Sequence, residues 1–451
     1  MRFRMLFATA SLLAAFATQL QSFAQIQAAS SQDESRSLHY TVTDLGIVGG
    51  PPGQPFHITN NDIISGSAAV ASGTEQTEQA VLWFKGWKLN IGTPGLGGKN
   101  SVSFGVNQWG QAAGEADTSM PDPDGEDFCG FAFMGYPSGT TCLPMEWQDG
   151  VMTALPLLQD ETGKHGNNGV ANGINKWGEI AGVSENTTVD KTCPAYDPSI
   201  GQSQNFQQKP AVWQFGRVQE LPTISGEPDG ILLAINDNGA SAGTSGTCAP
   251  FNNANYFNIQ PIYAVLWEDG KVIDLGSLGG MTNNLALAID NHDDVVGFSD
   301  MSGDTIFHGF LWKKETGKMQ DLAPVGSDVF SVGLAVNDAR GVTGVSLDAA
   351  FNPRAVLWRQ GAPVDLNTLV SGTSGLTLLL ACSINDSGQI IGLAVDSNGD
   401  YHGYLATPGL AGKDNEDAAE ASGPVELPQY VREQVRRQLH FDRFVVHPST
   451  P

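Results

Sequence analysis

The tetrapeptide AVLW occupies residues 264–267, and the same four residues recur at 80–83 and 355–358. Related stretches stand at comparable places along the chain: PMEW at 144–147, PAVW at 210–213, GFLW at 309–312 and GYLA at 403–406. A strand with one face in water alternates apolar and polar residues, whereas AVLW and GFLW do not alternate. The repetition therefore predicts a short strand that is covered on both faces and is used many times.

A second repeated phrase precedes each of these stretches, and in most copies it contains Asn-x-x-Gly and closes on a further glycine. Its seven copies are FHITNNDIISGSA (56–68), FGVNQWGQAAGEA (104–116), NGINKWGEIAGVS (172–184), LAINDNGASAGTS (233–245), LAIDNHDDVVGFS (287–299), LAVNDARGVTGVS (334–346) and CSINDSGQIIGLA (382–394). In the later copies the closing glycines lie about 47 residues apart, and insertions lengthen the earlier copies. This period indicates one structural unit per copy.

Each unit offers four short strand candidates. The first ends in Ile-Asn, the second ends in Gly-Val-Ser, the third is the tryptophan strand, and the fourth resembles KVIDLGSLGG at 271–280. Asn-x-x-Gly predicts a tight turn between the first two, because Asn can bond its own backbone and Gly accepts a positive φ. EDGK at 268–271 has hairpin length between the last two. Four antiparallel strands at this period are typical of a propeller blade.

The fourth strand is missing after the last copy and appears instead at the start, as YTVTDLGIVGG at 40–50. We therefore predict an all-β fold, a seven-bladed β-propeller of four-stranded antiparallel blades over residues 40–409. The N-terminal strand would complete the last blade and remove the open sheet edges. Ala406 replaces the tryptophan in that last copy, and we expect it to mark the seam.

These phrases resemble the repeats of the HAF-repeat family of bacterial extracellular repeat proteins. The best match is the run IDLGSLGG, ALAIDNHDDVVGFS and FHGFLW within 273–312, and the resemblance extends over about 40–407. The resemblance implies an exported repeat protein. It brings no established activity and no site residues.

The first 24 residues fit a cleaved secretory signal peptide. Arg2 and Arg4 precede a short apolar run, and small residues stand at the cleavage positions before Gln25. A flexible leader (25–39) follows, and beyond the propeller we expect an acidic linker (410–427). For the remaining segment (428–451), the sequence predicts either a short amphipathic helix or a disordered tail. Beyond the signal peptide, the sequence has no apolar run long enough to span a membrane, so we expect a soluble protein that is secreted or periplasmic.

The charge balance restricts the partners. There are 48 acidic residues against 23 basic ones, which gives a formal net charge of −25. A protein that binds nucleic acid or an anionic membrane normally carries a basic surface, so we expect neither nucleic acid binding nor membrane insertion. We expect a monomer whose partner is a glycan or another protein. Solubility alone is the other explanation of the acidity.

The chain has five cysteines, and an exported protein can oxidise them. Cys129 and Cys142 lie in one segment between strands, and Cys193 and Cys248 lie in two later ones. We predict Cys129–Cys142 and Cys193–Cys248 as pairs, although four cysteines allow three pairings. Cys382 lies in an apolar strand and is expected to be buried and free. The sequence has no Cys-x-x-Cys, which argues against a redox or zinc site.

Insertions between the second and third strands occur in three consecutive copies, at 117–143, 185–209 and 246–262. Long loops gathered at one end of a scaffold are typical of a binding surface. Aromatic residues among Asn, Gln and Ser could stack on a sugar or pack on a protein. The candidate ligand-binding residues are Phe128, Tyr136, Tyr196, Phe206, Tyr256 and Phe257. The alternative is that these rings pack on one another to hold the loops.

Two acidic stretches resemble calcium loops. Asp122, Asp124 and Asp127 in DPDGED are candidate calcium ligands, although calcium needs six or more oxygens and a solvated turn is the alternative. DSNGD at 396–400 fits a calcium loop or a plain hairpin turn. We expect no other cofactor. Trp109 and Trp177, which occupy turn positions of neighbouring copies, could make a secondary contact or pack at the edge.

No catalytic signature is present, since the chain has no Gly-x-Ser-x-Gly, His-Glu-x-x-His or phosphate-binding loop, and we name no catalytic residue. Propeller enzymes assemble their sites from scattered loops, so this is weak evidence about activity. The sequence favours a non-catalytic binding or interaction module whose ligand is held by the inserted loops of repeats two to four. The alternative is an enzyme acting on extracellular polysaccharide, with carboxylates in the central funnel.

Overall fold

The computed structural model describes residues 38–49, 53–72, 75–131, 136, 139–193, 205–248, 259–371, 374–410, 429 and 432. The predicted signal peptide (1–24) lies outside these residues, as do the leader up to residue 37 and the linker from residue 411 onward. Within the predicted tail, Gln429 and Arg432 are described, and both are helical.

The described residues form seven four-stranded antiparallel sheets, the blades of a propeller. Each blade runs from an innermost strand A to an outermost strand D. Blade 1 contains β2 (Pro55–Ile58), β3 (Ile63–Ser72), β4 (Glu75–Phe84) and β5 (Trp87–Asn90). Blade 2 contains β6 (Gly97–Val106), β7 (Ala112–Pro121), β8 (Thr140–Gln148) and β9 (Val151–Ala154). Blade 3 contains β10 (Gly169–Ile174), β11 (Ile180–Val189), β12 (Phe206–Gln214) and β13 (Arg217–Glu220).

Blades 4 to 6 follow in the same order. Blade 4 contains β14 (Asp229–Ile235), β15 (Ser241–Cys248), β16 (Ile259–Glu268) and β17 (Lys271–Asp274). Blade 5 contains β18 (Gly279–Ile289), β19 (Val295–Met301), β20 (Phe307–Lys313) and β21 (Lys318–Leu322). Blade 6 contains β22 (Phe330–Val336), β23 (Val342–Leu347), β24 (Pro353–Arg359) and β25 (Ala362–Asp365), followed by a 3-10 helix at Leu366–Leu369.

Blade 7 combines the two ends of the propeller. It contains β26 (Thr377–Ile384), β27 (Ile390–Val395) and β28 (Tyr401–Leu410), and its outermost strand is β1 (Leu38–Ile47). β1 pairs antiparallel with β28, from Leu38 opposite Leu410 to Ile47 opposite His402. The predicted seven-bladed fold and its closure by the N-terminal strand are therefore confirmed. Ala406 lies at the seam, opposite Val42 of β1.

The innermost strands form a closed ring, in which each contacts the next and β2 contacts β26. Because the strands alternate in direction, the A–B and C–D turns share one end of the ring, which we call the turn end. The B–C and D–A connections share the other, which we call the loop end. The predicted insertions therefore all lie at the loop end.

Every innermost strand carries a β-bulge or a similar irregularity opposite strand B. In each blade one such irregularity falls three residues before the turn, at Phe56, Phe104, Asn172, Leu233, Leu287, Leu334 and Cys382. Beside it, the closing glycine of the repeat approaches the neighbouring backbone closely. A Cβ on Gly344 would lie 1.9 Å from the Val332 carbonyl oxygen, and one on Gly297 would lie 1.9 Å from that of Leu285. The recurring glycine is thus required by this close contact.

The tryptophan strand is strand C, and it is covered on both faces as predicted. All four residues of Ala264–Trp267 are buried. The indole also bonds to the preceding blade, since Trp267 Nε1 donates to the Pro222 carbonyl at 2.7 Å and Trp358 Nε1 to that of Ala323 at 2.9 Å. The tryptophan therefore joins neighbouring blades through both packing and a hydrogen bond.

The turn asparagine has an equivalent role at the turn end. Asn175 Nδ2 donates to the Asn236 carbonyl at 3.0 Å, and Asn236 Nδ2 donates to the Asp290 carbonyl at 2.8 Å. Asn337 and Asn385 repeat the pattern towards blades 7 and 1. Side-chain bonds therefore run from turn to turn around the ring, which explains why Asn recurs in the sequence.

Both predicted disulfides, Cys129–Cys142 and Cys193–Cys248, are present. The first ties the blade 2 insertion to the start of β8. The second joins the B–C connection of blade 3 to the end of β15 in blade 4. Cys382 is free, as predicted, and it is partly rather than fully buried. Both disulfides thus hold loop-end segments against the propeller.

Candidate functional site

The blade 2 insertion folds back onto the inner strands. Phe128, Phe131 and Tyr136 are buried in one cluster with the Cys129–Cys142 disulfide. Phe56, Phe104 and Leu233, which are bulge residues of three different blades, pack against that cluster. The Phe56 and Phe104 ring centroids are 5.0 Å apart. Phe128 and Tyr136 are therefore buried over the ring of innermost strands, which agrees with the packing alternative and not with ligand binding by these two rings.

The other predicted ligand-binding aromatics divide into two groups. Phe206 begins β12 and is partly buried, and Lys164 Nζ lies 5.7 Å from the centroid of its ring. Tyr196, Tyr256 and Phe257 lie outside the described residues. The structure therefore leaves Phe206 as the described member of this set with an accessible side chain.

The seven innermost strands offer few acidic groups for chemistry. Six of the seven bulge residues are apolar or cysteine, and the seventh is Asn172. Among all residues of these strands, which are fully described, the one carboxylate is Asp229. Asp229 is 2% exposed, and burial together with the neighbouring Asp190 raises its pKa to about 8. The strands themselves therefore bring no set of converging carboxylates to the axis.

A buried glutamate lies beneath the blade 2 insertion. Glu78 lies in the buried part of β4, and its backbone N–H donates to Asn100 Oδ1 at 3.1 Å. Burial raises the pKa of Glu78 to about 8, although the hydroxyls of Ser67 and Tyr136 and the Lys88 ammonium act in the opposite direction. The same burial, together with the charge of Glu78, raises the pKa of Tyr136. This buried pair joins β4 to the blade 2 insertion and is not a solvent-facing site.

The predicted calcium ligands lie in the same insertion. Asp122 Oδ2 accepts from Asn168 Nδ2 at 2.9 Å, and Asp124 Oδ2 accepts from Asn167 Nδ2. These bonds orient both carboxylates towards the start of blade 3. Asp127 follows in the loop and its backbone carbonyl accepts from the Gly130 N–H at 2.8 Å. The structure thus brings Asp122 and Asp124 together against the two asparagines.

Two glutamates that the sequence analysis missed complete this acidic cluster. Glu126 and Glu185 are 3% and 0% exposed, and the charges acting on Glu126 include those of Glu185, Asp122 and Asp124. Glu185 stands three residues after the closing glycine of its repeat, where blades 2 and 5 have Asp117 and Asp300. An alignment of the repeats on that glycine would have drawn attention to this position.

The second predicted calcium stretch, DSNGD, forms the B–C turn of blade 7. Asp396 Oδ1 accepts from the backbone N–H groups of Asn398 and Asp400, at 2.9 Å each, and its Oδ2 accepts from Asn398 Nδ2. The carboxylate is therefore occupied by its own turn. This bonding supports the hairpin-turn interpretation of the sequence.

Large aromatic side chains are exposed at the turn end of blades 1 to 3. We call this set the tryptophan surface; its members are Phe84, Trp87, Trp109, Trp177 and Phe215. Trp109 and Trp177 are 72% and 65% exposed and occupy the A–B turns of neighbouring blades. Exposed apolar side chains that form a contiguous patch mark interaction sites, whereas those scattered singly are normal.

Hydrogen bonds fix both turn tryptophans in place. Trp109 Nε1 donates to the Lys176 carbonyl at 3.1 Å, and Trp177 Nε1 donates to the Asp237 carbonyl at 2.9 Å. Lys176 Nζ lies 4.9 Å from the centroid of the Trp177 ring and 3.2 Å from Asp237 Oδ2. The rings are thus held at their edges by the next blade, while much of each indole remains open to solvent.

A cleft of about 610 Å³ opens at the turn end of blades 5, 6 and 7. Residues that line it include Tyr40, Lys313, Arg340, Trp358, Arg359 and Asp386. Tyr40 comes from β1, so the seam of the propeller forms part of the wall. None of the lining residues belongs to the predicted ligand-binding or calcium sets.

In the described part of the chain, no helix combines the length and apolarity needed to cross a membrane. No protein-family model matches the sequence, so the resemblance to the HAF-repeat family stays a prediction. No curated protein matches the sequence either.

Solved structures of similar shape include other propellers. The β-propeller domain of the Trilobed protease from Pyrococcus furiosus is 9% identical, with 85% of this chain and 98% of that chain covered and a TM-score of 0.43. Oligogalacturonate lyase from Vibrio parahaemolyticus is 10% identical, with 82% and 96% covered and a TM-score of 0.42. Aleuria aurantia lectin is 8% identical, with 84% and 100% covered and a TM-score of 0.33. Likeness at this level carries no argument about activity, and the chain is defined here by its fold as a seven-bladed β-propeller.

Proposed function

We propose that this protein is an exported, non-catalytic binding module that recognises a glycan at the tryptophan surface. The observation that carries the proposal is the fixing of Trp109 and Trp177 by hydrogen bonds to the next blade, with 72% and 65% of the side chains exposed. A rigid, exposed indole offers a large flat area for stacking on a sugar ring, and little side-chain freedom is lost on binding.

Polar groups beside the rings support a glycan as the ligand. Lys176 and Asp237 form an ion pair next to Trp177, and Asn238 lies in the following turn. Sugars need hydrogen-bond donors and acceptors around an apolar platform, and a few placed polar groups give such a site its specificity. A protein partner is the main competing ligand, since exposed tryptophans are also common in protein interfaces.

The composition of the innermost strands supports binding rather than catalysis. A glycosidase of the usual kind needs two carboxyl groups flanking the scissile bond. Here the innermost strands contribute Asp229 alone, and it is buried beside Asp190. The alternative of a polysaccharide-acting enzyme would therefore have to take its carboxylates from loops.

The loop end remains a second candidate surface for the same function. Phe206, with Lys164 above its ring, lies there, and the Cys193–Cys248 disulfide ties the connections of blades 3 and 4 together. Tyr196, Tyr256 and Phe257 belong to these connections and stay predicted ligand-binding residues. Phe128 and Tyr136 do not contribute to this surface, because both are buried.

Export is part of the proposal and rests on two observations. The first 24 residues have the pattern of a signal peptide, and two disulfides are present. Disulfides of this kind form in oxidising compartments such as the periplasm or the extracellular space. The resemblance to the HAF-repeat family implies the same location.

The test compares glycan binding by the wild type with that of a Trp109→Ala/Trp177→Ala variant, on a glycan array and by sedimentation with insoluble polysaccharides. We expect at least a tenfold loss of affinity, as for central tryptophans of other binding sites. Met281→Ala is the matched control, because Met281 is 78% exposed but lies at the loop end.

Each other outcome contradicts a definite part of the proposal. Loss of binding in Tyr256→Ala/Phe257→Ala, with the tryptophan variant unaffected, would move the site to the loop end. Capture of proteins without glycans would contradict the ligand class. New reducing ends in the bound polysaccharide would contradict the non-catalytic role.

A further inference from the structure

The series of hydrogen bonds from turn to turn is interrupted at blade 5. In five A–B turns an asparagine Nδ2 donates to a backbone carbonyl of the next turn; these residues are Asn107, Asn175, Asn236, Asn337 and Asn385. Blade 5 has Asp290 at the same position of its turn. An ionised carboxylate has no hydrogen to donate, so the equivalent bond to the turn of blade 6 cannot form.

The Asp290 side chain nevertheless adopts the orientation of the asparagines. Its Oδ1 accepts from the backbone N–H groups of His292 and Asp294 at 2.9 Å each, as Asn236 Oδ1 accepts from the corresponding N–H groups of its own turn. Oδ2 therefore takes the place of the amide nitrogen and is directed towards blade 6. Among the described residues this oxygen has no hydrogen-bond donor, and the side chain is 0% exposed. An unpaired buried carboxylate oxygen is costly, so a cation or a proton has to face it.

Two further metal-binding groups lie beside this oxygen. His292 Nδ1 is 3.6 Å from Asp290 Oδ2, which is too long for a hydrogen bond. A carboxylate oxygen of Asp338, from the turn of blade 6, completes the group, and the three atoms lie within 4.8 Å of one another. Asp338 is held in place by Asn291, whose backbone N–H and Nδ2 donate to its two oxygens at 2.9 Å and 3.0 Å. Both carboxylates are thus fixed by hydrogen bonds, and the exposed His292 leaves the group accessible from solvent.

The composition and spacing of this group favour a metal ion. Arg340 is the cation of the blade 6 turn, but its Nε pairs with Asp294 Oδ2 at 2.8 Å. A proton would satisfy Asp290 Oδ2 alone, whereas a divalent ion also uses the imidazole and the second carboxylate. Two ligands at about 2.0–2.1 Å from a tetrahedral Zn²⁺ lie about 3.3 Å apart, close to the 3.6 Å between Asp290 Oδ2 and His292 Nδ1.

We propose that Asp290, His292 and Asp338 bind a Zn²⁺ ion that joins the A–B turns of blades 5 and 6. Three protein ligands of this kind leave a fourth position for water, as is common for zinc. The sequence analysis expected no zinc site, because it looked for cysteine motifs and these ligands come from two repeats. The tryptophan surface belongs to blades 1 to 3, so the zinc site goes beyond the proposed function, and failure of glycan binding would leave it untouched.

The test is isothermal titration calorimetry of ZnCl₂ into the full chain at pH 7.5 after EDTA treatment and dialysis, with thermal unfolding measured in ZnCl₂ and in EDTA. We expect one site and a rise in Tm with zinc, because a ligand that binds only the folded state stabilises it. Asp290→Asn should weaken zinc binding at least tenfold. Its amide can donate to the turn of blade 6 as the other asparagines do, so its Tm in EDTA should exceed that of the wild type.

Two histidine variants separate this site from zinc binding by histidines in general. His292→Ala should also weaken zinc binding at least tenfold, and its Tm in EDTA should stay close to that of the wild type because the side chain is exposed. His308→Ala is the matched control from the same blade, where His308 Nδ1 lies 3.0 Å from Asp321 Oδ1. It should bind zinc as the wild type does.

Three results would overturn the proposal. The first is the absence of zinc binding and of any Tm difference in the wild type, which would leave a proton on Asp290 or His292 as the occupant. The second is zinc binding by Asp290→Asn that equals that of the wild type, or an equal loss in His308→Ala. The third is Ca²⁺ binding as tight as that of Zn²⁺, because Ca²⁺ takes oxygen ligands and would not use the imidazole.

Discussion

Trp83 donates its Nε1–H to the carbonyl oxygen of Leu45 at 3.1 Å. Trp83 belongs to blade 1, and Leu45 lies in the strand that completes blade 7. Trp267 and Trp358 make the same kind of bond between blades that are consecutive in the chain. At the turn end, Asn385 Nδ2 donates to the Thr59 carbonyl at 3.1 Å, again as between consecutive blades. The joint between the chain ends is therefore built from the same contacts as the other joints.

Replacing Trp83 should weaken this joint strongly. Trp83 is buried, so Trp83→Ala removes a large packed side chain and should lower the free energy of unfolding by about 3–5 kcal/mol. Trp87→Ala is the control, since Trp87 is 80% exposed and should change stability by less than about 0.5 kcal/mol. Urea unfolding followed by tryptophan fluorescence and circular dichroism measures both. Equal losses in the two variants would contradict the role given to Trp83.

Gly344→Ala should destabilise the propeller although it adds a single methyl group. Its Cβ would lie 1.9 Å from the Val332 carbonyl oxygen, so strands A and B of blade 6 would have to separate. Overpacking of this kind costs about 1–3 kcal/mol or more. Gly409→Ala is the matched control, because a Cβ there meets nothing within 4 Å. Thermal unfolding of both variants is the measurement, and a Gly344→Ala protein with the Tm of the control would refute the close-contact explanation.

Stability should fall as the pH rises, and Glu78 should contribute to the fall. Its pKa is about 8 in the folded protein, against about 4.3 for an unfolded chain. The folded state therefore holds a proton that the unfolded state loses. The contribution is fully present below about pH 4.3 and is lost as the pH rises through about 8, by at most about 1.4 kcal/mol per pH unit.

Glu78→Gln should remove this contribution, because a neutral amide replaces the protonated carboxyl. The variant should gain on the wild type in urea unfolding experiments between pH 5 and pH 8. Glu220→Gln, an exposed change in β13, should follow the wild-type curve. Parallel curves for Glu78→Gln and the wild type would show that Glu78 is not the group responsible.

The disulfide of the blade 2 insertion should protect that loop. It links Cys129 to Cys142 across 13 residues, and removal of such a bond costs about 2–4 kcal/mol. A Cys129→Ala/Cys142→Ala variant should have a lower Tm and become sensitive to limited proteolysis within residues 122–141. Cys382→Ala is the control, because Cys382 forms no disulfide. Identical digestion patterns in the two variants would mean that packing of Phe128 and Phe131 alone secures the loop.

The fold could be predicted because the same local sequence pattern recurs in successive repeats. The turn asparagine, the closing glycine and the buried tryptophan each serve one contact between strands or blades, and repetition separates them from chance. The bulges were not predicted, since a shift in pairing depends on two strands together. The sequence feature that accompanies each bulge is the closing glycine beside it, such as Gly344 next to Leu334.

The loop-end residues were less accessible to prediction because they lie where the repeat is interrupted. The burial of Phe128 depends on Phe56 and Phe104, which come from other blades, and no local pattern shows this. Asp122 and Asp124 were recognisable by their spacing, whereas Glu185 approaches them only through the packing of blade 3 on blade 2. Trp109 and Trp177 stood out in the aligned turns, but their attachment to the next turn required the fold.

The pairing of β1 with β28 has a consequence for the order of assembly. β1 is synthesised first of all the strands, yet its partner ends at Leu410 and is made last. β1 must therefore wait until six blades and three further strands exist. The entropy of closing so long a loop grows only slowly with its length, so this delay costs little free energy. Blade 7 can close only when both ends of the propeller are present, because a chain shortened at either end leaves a partner strand unpaired.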